Sequence, residues 1–561
     1  MLPTQKDGDE GCKFDNGKVT VPESFHKLYK LYREGEWLGM TDNPEFGGQG
    51  MPKTVALAAS EYFNGANVSF MLFNGMTHGA AKLVESFGTD EQKNIYLAKM
   101  LSGQWGGTML LTEADAGSDV GALTTSAVKN ADGTYSITGS KIFISAGEHD
   151  MVENIIHPVL ARVEGAPEGT KGISLFLVPK FLVNDDGSPG EFNDVVCTGI
   201  EEKMGIHGNA TCSLTLGGKG GSIGTLLGNE NEGMRNMFVM MNEARQLVGL
   251  QGFSVSSASY MYSLDYARQR IQGKNMLDPK GDSVPIIQHP DVRRQLMNMK
   301  AWVDGMRSLI YYTGNCYDKM VIAQSDEEKQ KYNDLIEVLT PFVKGYITDK
   351  ALEVCSHGIQ VHGGYGFIEE YPVAQLFRDS RIFMLYEGTN GIQAMDLLGR
   401  KLRMKNGEAF RIFMGEIKKT IDLTRNIPEI KEISAKVEDV FVRVLEISEN
   451  MVQGAGSKDI MKTYAFAHPF LEASGDFVMA WMLLWRAGIA APKLVKKAGS
   501  SDPETISVKA EKNKDVAFYL GQLKTAEYFI NCILPITIGK LDAINAGNGS
   551  AVEMPDVSFG G

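Results

Sequence analysis

The chain reads as a multidomain α+β protein: helical first, then β, then helical twice over. Three observations carry that reading. Apolar residues recur at helical spacing from Thr54 to about Lys99, then switch to alternation between Gly106 and about Glu232. Helical periodicity returns in long blocks near 234–272, 289–323 and 326–358, as expected of a bundle. Beyond the interruptions Lys405-Asn406-Gly407 and Asn426-Ile427-Pro428 the amphipathic pattern resumes over 430–455, 458–498 and 504–546. The predicted organisation is an N-terminal helical domain (1–105), a middle antiparallel β-domain (106–232), a C-terminal helical bundle (233–400) and an additional helical domain (401–561).

Each element has a local reason. Residues 1–50 are polar and rich in glycine, and GMTDNPEFGGQGMP predicts an ordered loop. Thr89-Asp90-Glu91-Gln92 is a capping box ahead of Ile95, Leu97 and Met100. Tyr135 to Thr138, Lys141 to Ser145, Gly172 to Val178 and Cys212 to Leu216 alternate, with Gly, Asp and Asn between them, which predicts a sandwich or barrel. The most apolar window, Phe477 to Ala491, is broken by Arg486 and Gly488 and reads as a buried helix, not a membrane span.

Composition narrows the class. With 561 residues, 43% apolar and 22% charged, the chain has material for several cores and is not disordered. A formal charge of −13 disfavours nonspecific binding to nucleic acid or anionic membrane. Residues 401–561 are near neutral, with 21 Lys+Arg against 20 Asp+Glu. The six cysteines are scattered, no metal-ligand pair or CxxC occurs, and no signal peptide is visible; a reducing, cytoplasmic setting is expected.

Four stretches could carry chemistry. In Ser380 to Arg400, an apolar run ends in one carboxylate, Glu387, before a glycine turn and a helix. It is either a base kept from water or a surface acid favoured at a helix N-terminus. Thr108 to Thr125 gathers Thr112, Gly117, Ser118, Thr124 and Thr125; it either holds a phosphate or flavin edge or is a decorated hairpin loop. Gln360 to Phe367 has glycine pairs that suit close approach of a ligand or chain, or a tight interhelical turn. Tyr266 to Gly273 ends a helix with arginines fit for a phosphate or simply for the helix C-terminus. There is no Walker A loop, GxGxxG or HExxH, and His357 and His362 are off one helical face.

Together these stretches resemble the acyl-CoA dehydrogenase flavoprotein family. The resemblance rests on Leu111 to Val120, Gly139 to Ser145, Tyr266 to Gly273, Gln360 to Phe367 and Tyr386 to Gln393, in family order over roughly residues 20–400. Lys203 to Gly208, Met241 to Arg245 and the helical tail look like the larger branch, which includes 3-methylmercaptopropionyl-CoA dehydrogenases. The resemblance implies FAD, an acyl-CoA substrate, an electron-transfer flavoprotein as acceptor and a homodimer or homotetramer. It implies Glu387 as the base for the pro-R α-proton, with its own N–H toward the thioester carbonyl and flavin N5 as hydride acceptor, and Gly388 beside the substrate. Thr112 would bond the flavin pyrimidine edge, and Ser118 a phosphate or the substrate side. Phe143 stands where the family often has Trp, and Ser145 where a Thr approaches N5. Arg270, Gln272, Gln360 and Gly364 match residues that grip FAD from a neighbouring subunit; Thr389 matches a further FAD contact, and Arg245 an arginine near where CoA enters.

Three departures accompany the match. Some relatives place the base immediately before the arginine matching Arg245; here that residue is Ala244, with Glu243 one earlier, so Glu387 is the base expected. Relatives carry further helical sequence ahead of the region matching Met1, so a shortened N-terminus is expected. Gly391 replaces a polar residue near FAD. Two competing readings share the motifs: an acyl-CoA oxidase, and a nucleic-acid-associated flavoprotein of the alkylation-response type, the latter disfavoured by the near-neutral tail.

Overall fold

The computed structural model describes residues 1–560, in two compact units that divide after Gln251, within one long helix. Unit one begins helical. α1 (Glu23–Glu34) forms within the polar, glycine-rich stretch 1–50, because Phe25, Leu28, Tyr29 and Tyr32 fall at i, i+3, i+4 and i+7 and all four are buried. α2 (Lys53–Ala66), α3 (Val68–Phe87) and α4 (Asp90–Leu101) follow. The capping box is formed in both directions: Gln92 N–H donates to Thr89 Oγ1 at 3.2 Å, and Thr89 N–H to Gln92 Oε1 at 3.0 Å.

The strands of the eight-stranded sheet of unit one are β1 (Trp105–Gly107), β2 (Ser126–Lys129), β3 (Tyr135–Ser145), β4 (Asn154–Val163), β5 (Ile173–Pro179), β6 (Val195–Ile200), β7 (Thr211–Leu216) and β8 (Ser222–Leu226). Their order is β6-β7-β3-β8-β5-β4-β1, with β2 pairing both β3 and β4. The pairings β3–β8–β5–β4–β2–β3 therefore close a circuit, which is the barrel solution to exposed edges. Most pairs are antiparallel as expected, but β4 pairs in parallel with both β1 and β2. Ile137, Val159, Phe176 and Leu214 fill the interior, each at most 1% exposed.

α5 (Gly233–Gln269) runs through the division between the units. Unit two continues with α6 (Pro290–Ile322), α7 (Asp326–Pro341), a π-turn (Phe342–Tyr346), α8 (Ile347–His362), α9 (Pro372–Ser380) and α10 (Asn390–Gly399). The block expected over 326–358 is thus two helices joined through a π-turn just past Pro341. The longer appended helices are α11 (Glu408–Thr424), α12 (Lys431–Ala455), α13 (Ala467–Ala498), α14 (Pro503–Ala510), α15 (Lys514–Tyr528) and α16 (Leu534–Ala546). α13 and the run Lys514–Ala546 are long and apolar enough to cross a membrane, although neither holds an apolar run of about 18 residues without interruption. α13 spends that character on a core, with Leu471, Val478, Trp481 and Leu484 at most 1% exposed.

Candidate active site

In unit one the site is organised by a bulge. Tyr135, Ile137 and Lys141 alternate inward along β3, yet Ile144, three residues after Lys141, also points inward. β7 spans the same interval with two residues, Leu214 pairing Lys141 and Cys212 pairing Ile144. The extra residue is absorbed at Phe143, which adopts φ +58° and stands 59% exposed. A left-handed, solvent-facing phenylalanine is a strained arrangement, of the kind found where an aromatic ring is presented to a ligand.

Thr112 lies against this bulge, its carbonyl accepting the Ile142 N–H at 3.0 Å. The next residue fixes the loop. The Glu113 carboxylate accepts hydrogen bonds from Thr124 N–H (2.7 Å), Thr124 Oγ1 (2.7 Å), Thr125 N–H (3.0 Å), Thr125 Oγ1 (2.6 Å) and Lys141 Nζ (2.8 Å). Burial would raise its pKa, but Lys141, Thr125 and Thr124 outweigh burial and bring it down to about 2. Lys141 is fully buried and is pushed below its ordinary value, since desolvation exceeds what the single carboxylate returns. Glu113 and Lys141 were not singled out in the sequence, although a lysine in an inward slot of an alternating strand was a legible sign. Ser118 is exposed at the tip of the loop, and Ser145 is half-buried at the end of β3.

Arg245 is buried on α5. Near it, Glu243 belongs to a cluster of four charges. Lys53 bonds Glu243, His78 Nε2 lies 3.3 Å from Glu243, and His78 Nδ1 lies 3.0 Å from Asp42. Burial pushes the imidazolium down, but Asp42 and Glu243 raise His78 to about 10, while Lys53 and His78 hold Glu243 well below the carboxylate range against its own burial. So strongly ionised a carboxylate is a poor proton acceptor near neutrality.

In unit two, Glu387 is half-buried and adopts φ +57°, followed by Gly388 at +84°. Two consecutive left-handed residues turn the chain sharply into α10, whose N-cap Thr389 accepts the Ile392 N–H at 3.3 Å. The turn is gripped from behind. Fully buried Lys344, in the π-turn, donates to the Gly388 carbonyl at 2.6 Å and to Asn390 Oδ1 at 2.8 Å. Asn390 Nδ2 donates to Gly345 O, Thr348 Oγ1 and Asp349 Oδ1 at 2.7–2.9 Å, and Gln393 Nε2 reaches Glu387 O at 3.4 Å. Burial, reinforced by the charges of Glu387 and Asp379, keeps the neighbouring Tyr386 phenol protonated. Lys344 and Asn390 are 46 residues apart, and no local pattern links them.

The other expected residues of unit two form a second group. Arg270 donates to Gln272 Oε1 at 2.8 Å and lies 5.7 Å from the Tyr365 ring centre. That brings the end of α5 to the Gly363–Phe367 turn, where Gly364 is exposed with open space around its Cα and Gln360 is exposed on the last turn of α8. Tyr266 stacks on His362 at 4.3 Å behind them.

Comparison with known proteins accounts for this combination. "Acyl-CoA dehydrogenase, N-terminal domain" matches residues 13–104, "middle domain" 108–218 and "C-terminal domain" 231–402, while "Acetyl-CoA dehydrogenase C-terminal like" matches 413–555. The chain is 41% identical to 3-methylmercaptopropionyl-CoA dehydrogenase of Ruegeria pomeroyi, over 88% of this chain and 84% of that protein. The chain belongs to the acyl-CoA dehydrogenase family. It is accordingly an oxidoreductase, of the larger architecture with an extra C-terminal helical domain. It is also 37% identical to a butyryl-CoA dehydrogenase of Syntrophomonas wolfei, over 100% of this chain and 91% of the relative. A Bacillus anthracis acyl-CoA dehydrogenase complexed with FAD has the same fold (TM-score 0.74, 23% identity, 95% of this chain and 84% of that one).

FAD is the cofactor this family uses, and the residues present suit it. Phe143 offers an uncovered ring, Thr112, Ser118 and Ser145 supply hydroxyls in unit one, and Arg270 supplies a cation beside open glycine backbone in unit two.

Proposed function

We propose that the protein catalyses α,β-dehydrogenation of an acyl-CoA thioester to the trans-2-enoyl-CoA, with Glu387 as the base. The observation that carries the assignment is the strained Glu387–Gly388 turn, a carboxylate at φ +57° braced by Lys344, Asn390 and Gln393. Holding a non-glycine residue in that region costs of order 1–3 kcal/mol and is tolerated where the surroundings over-determine it, as at sites of chemistry. Glu387 takes the α-proton, and its backbone N–H, set by the same turn, is assigned to the thioester carbonyl oxygen, where negative charge develops. Glu243, the rival carboxylate, is committed to Lys53 and His78.

FAD, when bound, supplies the acceptor for the two electrons that leave with the β-hydrogen. Thr112, Ser118, Phe143, Ser145 and Thr389 are assigned to holding it. Arg270, Gln272, Gln360 and Gly364 are assigned to the cofactor of a neighbouring copy. Exposed apolar side chains next to them, Phe367 at 86% and Ile271 at 54%, favour a homo-oligomer. Gly388 and Arg245 are assigned to the substrate, together with Ser118. The boundaries at 105, 232 and 400, a cytoplasmic setting, a role in fatty-acid β-oxidation and electron-transfer flavoprotein as acceptor complete the reading.

Anaerobic addition of acyl-CoA thioesters to the purified flavoprotein tests it. Bleaching of the flavin absorbance by at least one thioester is the expected result. A protein that takes up no FAD, or a flavin that none of the thioesters reduces, overturns it.

A further inference from the structure

Unit one contains a cavity of about 80 Å³ beside the four-charge cluster, lined by apolar Tyr32, Leu57 and Leu247 and by polar Asn74, His78 and Gln251. At about 10–15 Å³ per water it has room for about five to eight water-sized groups, the end of a short chain and little more. Three features describe its occupant.

The first is Gly75, in the interior of α3, where a Cβ would meet no atom within 4 Å. Glycine is unfavourable inside a helix, and here no neighbour demands it. What it preserves is space.

The second is Asn74, 3% exposed: its Nδ2 donates to Phe70 O at 3.4 Å, while its Oδ1 has no hydrogen-bond partner among the described residues. A buried acceptor left unmatched is costly, so a ligand that brings a donor is favoured. The third is the charge balance. Two carboxylates, Asp42 and Glu243, face two cations, His78 and Lys53, and a charged ligand would leave a buried charge uncompensated. The occupant is thus short and neutral, and it donates a hydrogen bond.

We propose that this cavity receives the far end of the acyl group and selects short acyl chains that end in an uncharged hydrogen-bonding group over apolar chains of the same length. The inference rests on the acyl-CoA reading, and on Arg245, which that reading puts where CoA enters. Arg245 shares α5 with the cavity-lining Leu247 and Gln251.

The test compares 4-hydroxybutyryl-CoA with pentanoyl-CoA, in which a methyl replaces the hydroxyl, by the second-order rate constant for anaerobic flavin reduction. The hydroxylated thioester should be faster by about tenfold or more. Asn74→Leu should bring the ratio to one or below. Gly75→Leu should slow both substrates by at least tenfold without lowering the melting temperature, because the new side chain enters the cavity instead of the core. A wild-type ratio of one or less, a ratio unmoved by Asn74→Leu, or full rates in Gly75→Leu overturns the inference while leaving the dehydrogenase reading intact. Failure of every thioester to reduce the flavin overturns both.

Discussion

Replacing Glu113 by alanine probes the anchor of the loop that carries Thr112 and Ser118. The substitution removes the acceptor of five hydrogen bonds and leaves Lys141, fully buried, with the Leu111 carbonyl at 3.0 Å in place of its counter-ion. Two routes give the magnitude. Breaking a buried ion pair by removing one partner costs about 3–5 kcal/mol. Independently, a carboxyl held at about 2 instead of 4.5 is linked to about 3 kcal/mol of folding free energy. The sign of the pH dependence follows: a depressed carboxyl contributes its full share above about pH 4.5, and the share is lost as pH falls through about 2. Urea unfolding at pH 7 should show Glu113→Ala destabilised by about 3 kcal/mol or more. The double variant Glu113→Leu with Lys141→Met should recover most of the loss, because no unpaired charge remains. FAD retention should follow the loop, weak in the single variant and improved in the double. A loss below about 1 kcal/mol, or a double variant no better than the single, would refute the anchor.

Three further outcomes are expected. Phe143→Gly should stabilise the fold by about 1 kcal/mol, by relieving φ +58° in β3, while FAD affinity falls; thermal melting with and without FAD checks both. Gly475→Ala should destabilise the fold by about 1–3 kcal/mol or more in urea, since its Cβ would lie 2.1 Å from the Tyr346 ring, and Tyr346 Oη donates to Asp476 Oδ1 at 2.7 Å. That contact ties α13 of the appended domain to the π-turn bearing Lys344, so the variant should also slow flavin reduction. His78, raised to about 10, contributes stability that is complete below about pH 6.5 and lost as pH rises through about 10; melting temperature should fall over that interval, and less so in His78→Gln.

The sequence was most informative where chemistry is local. Periods of 3.6 and 2 placed the helical and β regions, and the capping box at Thr89 formed as expected. Glu387, Thr112 and Arg270 could be singled out as candidates because glycine turns and helix or strand ends flank them. α1 was missed because polar, glycine-rich flanks masked a four-residue apolar stripe. The barrel closure was out of reach, since β2 pairs in parallel with β4, which no hairpin signal encodes. The Phe143 bulge shows only as a break in alternation after Lys141, and it depends on the register with β7. The braces behind Glu387 join Lys344 and Asn390 across two helices, and that pairing exists only in the fold.

The central claim is that Glu387 is the base, and the most direct measurement is the rate of anaerobic flavin reduction in Glu387→Gln against wild type. Glutamine preserves the shape of the turn and the backbone N–H but cannot accept the α-proton. With FAD bound and the fold intact by circular dichroism, the rate should fall by about 10²–10⁴-fold. A variant that reduces its flavin within tenfold of the wild-type rate would contradict the assignment.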